Sequence, residues 1–234
     1  MSDAEQGEPT MGLLDTIAEL EHAQQDLRLA QEETTHCLAL AAELRDGETS
    51  RHLERMSGFC AVLGDALGLD EGRRETIRIA AKMHDIGKIG VPDSIRLKPG
   101  RLTADEMSTM KTHAQIGYDI LAGSTSELAT TAAVIAWTHH EKVDGSGYPR
   151  RLVGDEIPLE GRIAAVADVF DALTTDRIYR KGFTFEEALD VMRKGRRAHF
   201  DSMILDLFFD RIDEIVSVKQ AVDDSAARFV GAAV

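Results

Sequence analysis

Two histidines side by side, His139 and His140, close an apolar segment (132–138). They are followed at once by the loop Asp144-Gly145-Ser146-Gly147-Tyr148-Pro149. A chain that buries two adjacent imidazoles must give each a partner, because an unsatisfied buried polar group costs roughly 1–3 kcal/mol. Consecutive side chains on a helix point about 100° apart, so a single ion cannot easily take both rings. Two ions can, one on each ring. Such an arrangement demands further ligands from distant parts of the chain, and so a fold that gathers several helix ends in one place.

The chain has room for that. At 234 residues, 43% of them hydrophobic, it fits one domain of moderate size with an appendage. Its two cysteines, Cys37 and Cys60, have no metal-like spacing and are expected to be reduced thiols in a cytoplasmic protein. The first ten residues are polar and acidic, unlike a signal peptide, and no apolar run approaches the roughly 18 residues of a membrane span. A net charge of −14 argues against a nucleic-acid polymer or an anionic membrane as partner. That charge is uneven: residues 1–47 hold 11 acidic and 2 basic side chains, a balance of −9, which leaves −5 for the other 187. Local basic clusters at 177–181 and 193–197 keep a small anionic substrate within reach.

The chain divides into four stretches. Residues 1–11, polar with Gly7 and Pro9, are expected to be disordered. Residues 12–47 are expected to form a long helix, since Leu13 to Asp46 contains neither glycine nor proline. Alternating steps of four and three pick out Leu13, Ile17, Leu20, Gln24, Leu27, Gln31, Thr34, Leu38 and Ala41, a heptad seam with polar residues at three positions. This helix either packs on its own domain or forms a parallel coiled coil that makes a homodimer or relays a signal. Residues 48–218 are expected to form the main domain, and 219–234 a tail. Within the domain, Asp70 caps a helix running to about Asp85, and Thr103 opens a capping box for a helix containing His113. Ser124 or Ser126 starts the helix ending in His139-His140, and Leu159 to Leu173 forms a buried helix. Thr184 caps another, and Ile204 to Val218 is the last amphipathic one. No segment alternates convincingly, so the fold is expected to be all-α.

Polar residues fall where an all-α core should not tolerate them alone. Glu48 and His52 share a helix face, His84-Asp85 ends an apolar helix, and Asp168 lies within Ile163-Ala-Ala-Val-Ala-Asp-Val-Phe. With His113, His139 and His140 they make five histidines and three carboxylates, a nitrogen and oxygen donor set for metal ions. No thiolate joins it, which disfavours a structural zinc site.

The ordered set Glu48-x3-His52, His84-Asp85-Ile86-Gly87-Lys88, His113, His139-His140, Asp144 to Pro149 and Asp168 resembles the HD-GYP family of HD-superfamily phosphohydrolases. The resemblance runs from about residue 46 to 210 and takes in 91–93, 98–100 and 166–180. It implies an all-α HD-domain helical bundle that hydrolyses the bacterial second messenger cyclic di-GMP to pGpG and onward to GMP. The implied metal ligands are Glu48, His52, His84, Asp85, His113, His139, His140 and Asp168, with Glu48 marking members that hold three metals rather than two. Asp85 is implied to bridge two of them, iron or its substitute manganese, with a bridging hydroxide as nucleophile. Lys88 is implied at the scissile phosphate, and Tyr148, Asp171, Arg177, Arg180 and Lys181 at the rest of the substrate. Further implied partners are a diguanylate cyclase domain or an upstream sensor protein. Alternatives are another cyclic dinucleotide as substrate, or a binding module of low turnover. The chain departs from the family pattern at Val143, Ile178 and Ser202, where an aromatic residue, proline and proline are usual; none of these removes a ligand.

Overall fold

Caps and helix breakers cut the chain into eleven α-helices among the described residues of the computed structural model, which are 8–43, 50–176 and 181–231. The first, α1, spans Glu8–Glu43, so residues 8–11 open the helix and do not precede it as irregular chain. Next comes α2 (Ser50–Ala66), closed by Gly68 at φ +70°, a left-handed position that glycine adopts without strain. Asp70 then caps α3 (Glu71–Ala80) by accepting the Arg73 N–H at 3.0 Å.

Here expectation and structure part. The helix does not continue to Asp85; it tightens into a 3-10 turn (Ala81–Met83), and a second 3-10 turn (Ile86–Gly90) follows. Asp85 lies between them at φ −103°, ψ 9°, near the sparsely allowed bridge region where many active-site residues sit. An unbroken α-helix would have swung His84 and Asp85 about 100° apart on a straight axis; the break lets both side chains face one point.

After α4 (Asp93–Arg96), the capping box of Thr103 and Glu106 starts α5 (Ala104–Lys111). That helix stops at Thr112, and His113 opens a separate helix, α6 (His113–Leu121). Ser126 precedes α7 (Glu127–Thr138) without a capping side-chain bond, and His139 is the C-cap of that helix. Then come α8 (Leu159–Thr174) and α9 (Phe185–Lys194), the latter capped by Thr184 with Glu187. The single helix expected at 204–218 is two, α10 (Ser202–Asp210) and α11 (Ile212–Gly231), parted at Arg211. The stretch after Val218, expected as a tail, is helical to Gly231. No strand forms among the described residues, only isolated bridges at Asp144–Val153 and Arg196–Phe200.

The core is built around α2. Its apolar stripe, Leu53, Met56, Phe59, Cys60 and Leu63, is fully buried and packs against α3, α8 and α11. Phe170 of α8 sits edge-on to Phe59 (5.5 Å) and to Phe208 of α10 (5.0 Å), an arrangement aromatic rings prefer. Only the last third of α1 joins this core. Residues 12–31 are exposed all round, whereas Ala39 and Ala42 are buried. Polar contacts fasten the junction: Glu32 to Arg78 (2.6 Å) and to Lys82 (3.5 Å), and His36 to Glu54 (3.2 Å).

Two glycines bring backbones into direct contact beside the polar cluster. A Cβ on Gly87 would overlap the His113 carbonyl oxygen and the Gly117 amide, and one on Gly117 would press the Ala136 methyl at 3.0 Å. Backbone cannot move aside like a flexible side chain, so Gly87→Ala should destabilise by at least the roughly 1–3 kcal/mol of overpacking. The control is Gly12→Ala, on the exposed part of α1 with nothing within 4 Å. It should be neutral or stabilising by up to about 1 kcal/mol. Urea unfolding of both variants checks this, and equal midpoints would show that the Gly87 contact is dispensable.

Candidate metal centre

Five histidines from four places in the chain converge on Asp85. One group is His52, His84 and Asp85, the other Asp85, His113, His139 and His140; within each, one donor atom per residue lies within 4.8 Å of the others. Asp85 is common to both, and its two oxygens divide between them. Oδ2 lies 3.3 Å from His84 Nε2, while Oδ1 lies 3.3 Å from His113 Nε2 and 3.7 Å from His139 Nε2. A carboxylate facing one imidazole set with each oxygen is in position to bridge two ions.

The far nitrogen of each ring sets which atom faces inward. His84 Nδ1 is 2.9 Å from the Ala81 carbonyl, His113 Nδ1 2.8 Å from the Met110 carbonyl, and His139 Nδ1 3.0 Å from the Ile135 carbonyl. A carbonyl only accepts, so each Nδ1 carries the proton and a neutral ring keeps its lone pair on Nε2. His52 Nδ1 likewise meets Asp171 Oδ2 at 2.8 Å. Asp171 is itself clamped by the buried Arg55, whose Nε and Nη2 donate to its two oxygens at 2.5 and 3.0 Å. Arg55 also reaches Asp223 on α11 at 3.0 Å. A carboxylate behind a ligating imidazole is the usual outer support of a metal site.

The inward atoms are short of partners. Asp85 Oδ1, His113 Nε2 and His139 Nε2 are buried without a hydrogen bond. His52 Nε2 and His84 Nε2 face each other at 3.3 Å, where two bare nitrogens repel unless a cation or proton lies between them. Burial opposes charge on His84, yet Asp85, aided by Asp168 and Glu43, outweighs it and pushes its pKa up to about 10. The place that holds an extra proton is one where a cation is favoured. Burial likewise opposes ionisation of Asp85, but Lys88, His84 and His139 hold it well below the usual carboxylate range. Burial, with neighbouring imidazoles, keeps His113 and His140 below the ordinary histidine range, hence neutral. Neutral imidazoles at His113 and His140 beside an ionised carboxylate fit a transition-metal ion well.

Lys88 stands at the edge of this cluster with its ammonium 2.7 Å from Asp85 Oδ2. Tyr148 leans on His140 (4.7 Å, 32°), and the Lys111 ammonium lies 4.9 Å from the centre of its ring. The loop carrying Tyr148 is held from below by Glu141, which is buried and accepts the Arg150 and Leu152 N–H groups at 2.7 and 3.0 Å. The Tyr148 N–H donates to the His140 carbonyl at 3.2 Å, tying the loop to a ligand.

The other sequence-predicted residues stand further out. Asp168 is half-buried and acts on His84, Tyr148 and His199 through its charge, but it is outside the two converging groups. Lys181 is exposed. Glu48, Arg177 and Arg180 lie outside the described residues. Asp171, expected to face substrate, is buried against His52 and Arg55 instead. Sequence reasoning passed over Arg55 and Glu141. Arg55 had a signal, a basic residue amid the apolar stripe of α2, three positions from His52. Glu141 had a weaker one, an acid directly after the histidine pair.

Comparison with known proteins agrees with this geometry. Residues 36–204 match the family described as HD domain. The cyclic di-GMP phosphodiesterase response regulator RpfG of Xanthomonas campestris pv. campestris is 50% identical over 176 residues, 75% of this chain and 47% of the relative. The 3'3'-cGAMP-specific phosphodiesterase 2 of Vibrio cholerae is 41% identical over 85% of this chain and 38% of its own length. The chain thus spans about half the length, or less, of these curated relatives. Among solved structures, the V. cholerae cyclic GMP-AMP specific phosphodiesterase V-cGAP3 shares the fold. Its TM-score is 0.60 at 19% identity, covering 82% of this chain and 52% of that one.

Because Asp171 fixes the His52 ring without being positioned as a ligand, Asp171→Asn should weaken metal binding by about 10–100-fold and leave the fold intact. Calorimetric titration with manganese, alongside circular dichroism, measures both. Parental affinity in the variant would make the Asp171–His52 bond incidental.

Proposed function

Because the chain belongs to the HD-GYP family of HD-domain proteins, we propose that it is a metal-dependent phosphodiesterase acting on cyclic di-GMP. The product is pGpG, with slower conversion to GMP. The observation carrying this reading is the single carboxylate of Asp85, shared by two sets of inward imidazole nitrogens. His52 and His84 would hold one ion, His113, His139 and His140 another, with Asp85 between. Glu48 and Asp168 remain candidates for completing these shells, and Glu48 for a third ion. When bound, such ions supply positive charge for the phosphodiester and an acidified water for in-line displacement. Iron suits this nitrogen and oxygen donor set, with manganese as substitute.

The chain's own residues do the rest. Lys88, 2.7 Å from Asp85, is placed to donate to a non-bridging oxygen of a phosphate held over that carboxylate. Its ammonium would stabilise the charge that shifts onto phosphate oxygens as the P–O bond breaks. The Tyr148 ring walls the cleft on the His140 side, and burial, with Asp85 and Asp168, pushes its hydroxyl pKa far up, so it stays a donor. Arg177, Arg180 and Lys181 are proposed to hold the remaining anionic groups of the substrate. A mixed GMP–AMP cyclic dinucleotide is the second reading, favoured by the 41% identity to a relative named for that specificity.

Protein purified anaerobically without chelator should contain two to three transition-metal ions per chain and linearise cyclic di-GMP. Chelation should abolish turnover and re-addition of iron or manganese should restore it. Turnover of the mixed dinucleotide alone would transfer the assignment to the second reading, and turnover of neither would defeat both. Lys88→Ala should lower kcat by about 10²–10³ with little change in KM or metal content. Near-parental kcat would remove Lys88 from the chemistry. Glu48→Ala should lower metal content by about one ion, and unchanged content would remove Glu48 from the metal centre.

A further inference from the structure

The exposed part of α1 carries an apolar seam that the described residues leave largely uncovered. Leu13, Ile17, Leu20, Leu27 and Leu38 are 43 to 60% exposed although they are large aliphatic side chains. Where α1 meets the domain, it packs through other positions: Ala39, Ala42 and half-buried Leu40 turn inward while Leu38 and Ala41 stay outside. The seam is therefore a continuous outer stripe, roughly 40 Å long at 1.5 Å per residue. Charge is sorted to match. In heptad terms Leu13, Leu20, Leu27, Thr34 and Ala41 occupy d, and Ile17, Gln24, Gln31 and Leu38 occupy a. The g positions flanking them are Thr16, Ala23, Ala30 and Cys37, none charged, and the e positions Leu14, Glu21, Arg28, Thr35 and Ala42 carry one acid and one base. Asp15, Glu19, Asp26, Glu32 and Glu33 fall at b, c and f, on the outer faces. The acidity of this segment thus does not oppose self-association along the stripe.

At its lower end the stripe becomes one wall of a groove of about 390 Å³. Leu27, Gln31, Thr34 and Leu38 face Met83, Leu121, Leu128 and Ala129 across it. A second helix lying on the seam would enter this groove and touch α6 and α7 as well. We propose that the occupant is α1 of a second copy of this chain, in a parallel two-stranded coil seated in both grooves. Several features favour this occupant. Leucine holds three of the five d positions and isoleucine or leucine two of the four a positions, in keeping with a parallel two-stranded coil, and the polar residues at a set register at some cost in stability. In a parallel pair both domains sit at the same end, so each copy's helix fills the other's groove by one two-fold operation. An antiparallel pair would instead lay the N-terminal part of each partner helix in the groove and put the two domains at opposite ends of the coil. The wall residue Met83 directly precedes His84, so the interface would reach the segment that carries Asp85.

The test uses the full chain. Light scattering at tens of micromolar should give a dimer, and Leu20→Asp should give a monomer with an unchanged far-ultraviolet spectrum of the domain helices. In a Cys37→Ser background, Leu20→Cys should form an intermolecular disulfide under mild oxidation, because like d positions meet only in a parallel coil. Ser126→Arg probes the groove wall. Its side chain is exposed and makes no capping bond, so the variant should fold while dissociating about tenfold more readily. A monomeric parent, or a dimer unaffected by Leu20→Asp, overturns the coil. Absence of the Leu20→Cys disulfide overturns its parallel direction, and an unaffected Ser126→Arg dimer overturns the seating in the groove.

Discussion

Everything near the centre of this molecule answers to one buried negative charge. Asp85 is 8% exposed, ionised, and aimed with its two oxygens at two separate sets of imidazole nitrogens. A charge so placed is unfavourable unless cations compensate it, and Lys88 alone approaches only one of the oxygens. The break in helix geometry after Ala80, the opening of α6 at His113 and the closing of α7 at His139 all place a donor against this carboxylate. In that sense the helix ends are set by the site as much as by caps.

The second organising element is outside the cluster. Ala81, Met110 and Ile135 each offer a carbonyl near a helix end, one that already accepts a backbone N–H, to a histidine Nδ1–H as well. Helix ends thus fix the tautomers of three inward-facing imidazoles. His52, in the first turn of α2, takes a carboxylate instead. That difference accounts for the buried Asp171 and for Arg55, which keeps Asp171 ionised.

Much of this was legible beforehand. Asp70, Thr103 and Thr184 carry their own cap signals, and the structure uses all three as caps. The histidines and Asp85 stood out because unpaired polar groups on apolar faces need a reason to be there. Less legible were the breaks at 81, 112 and 211, where no glycine or proline marks a stop and only tertiary contacts decide. Arg55 and Asp171 were hard to assign because both sit on helices and look alike as surface charges. Their pairing across more than a hundred residues is a fact of packing, absent from local pattern.

The close approach at Gly87 has one more implication. Side-chain packing lets a binding site breathe through rotamer hops on fast timescales, whereas two backbones in contact can separate only if a whole element shifts. His113 rides on the segment that touches Gly87, and Asp85 lies two residues before that glycine. Widening the gap between these two donors therefore means displacing all of α6. An ion held between them would be exchanged at the pace of helix motion, and an ion of the wrong radius would meet a frame that does not yield to it.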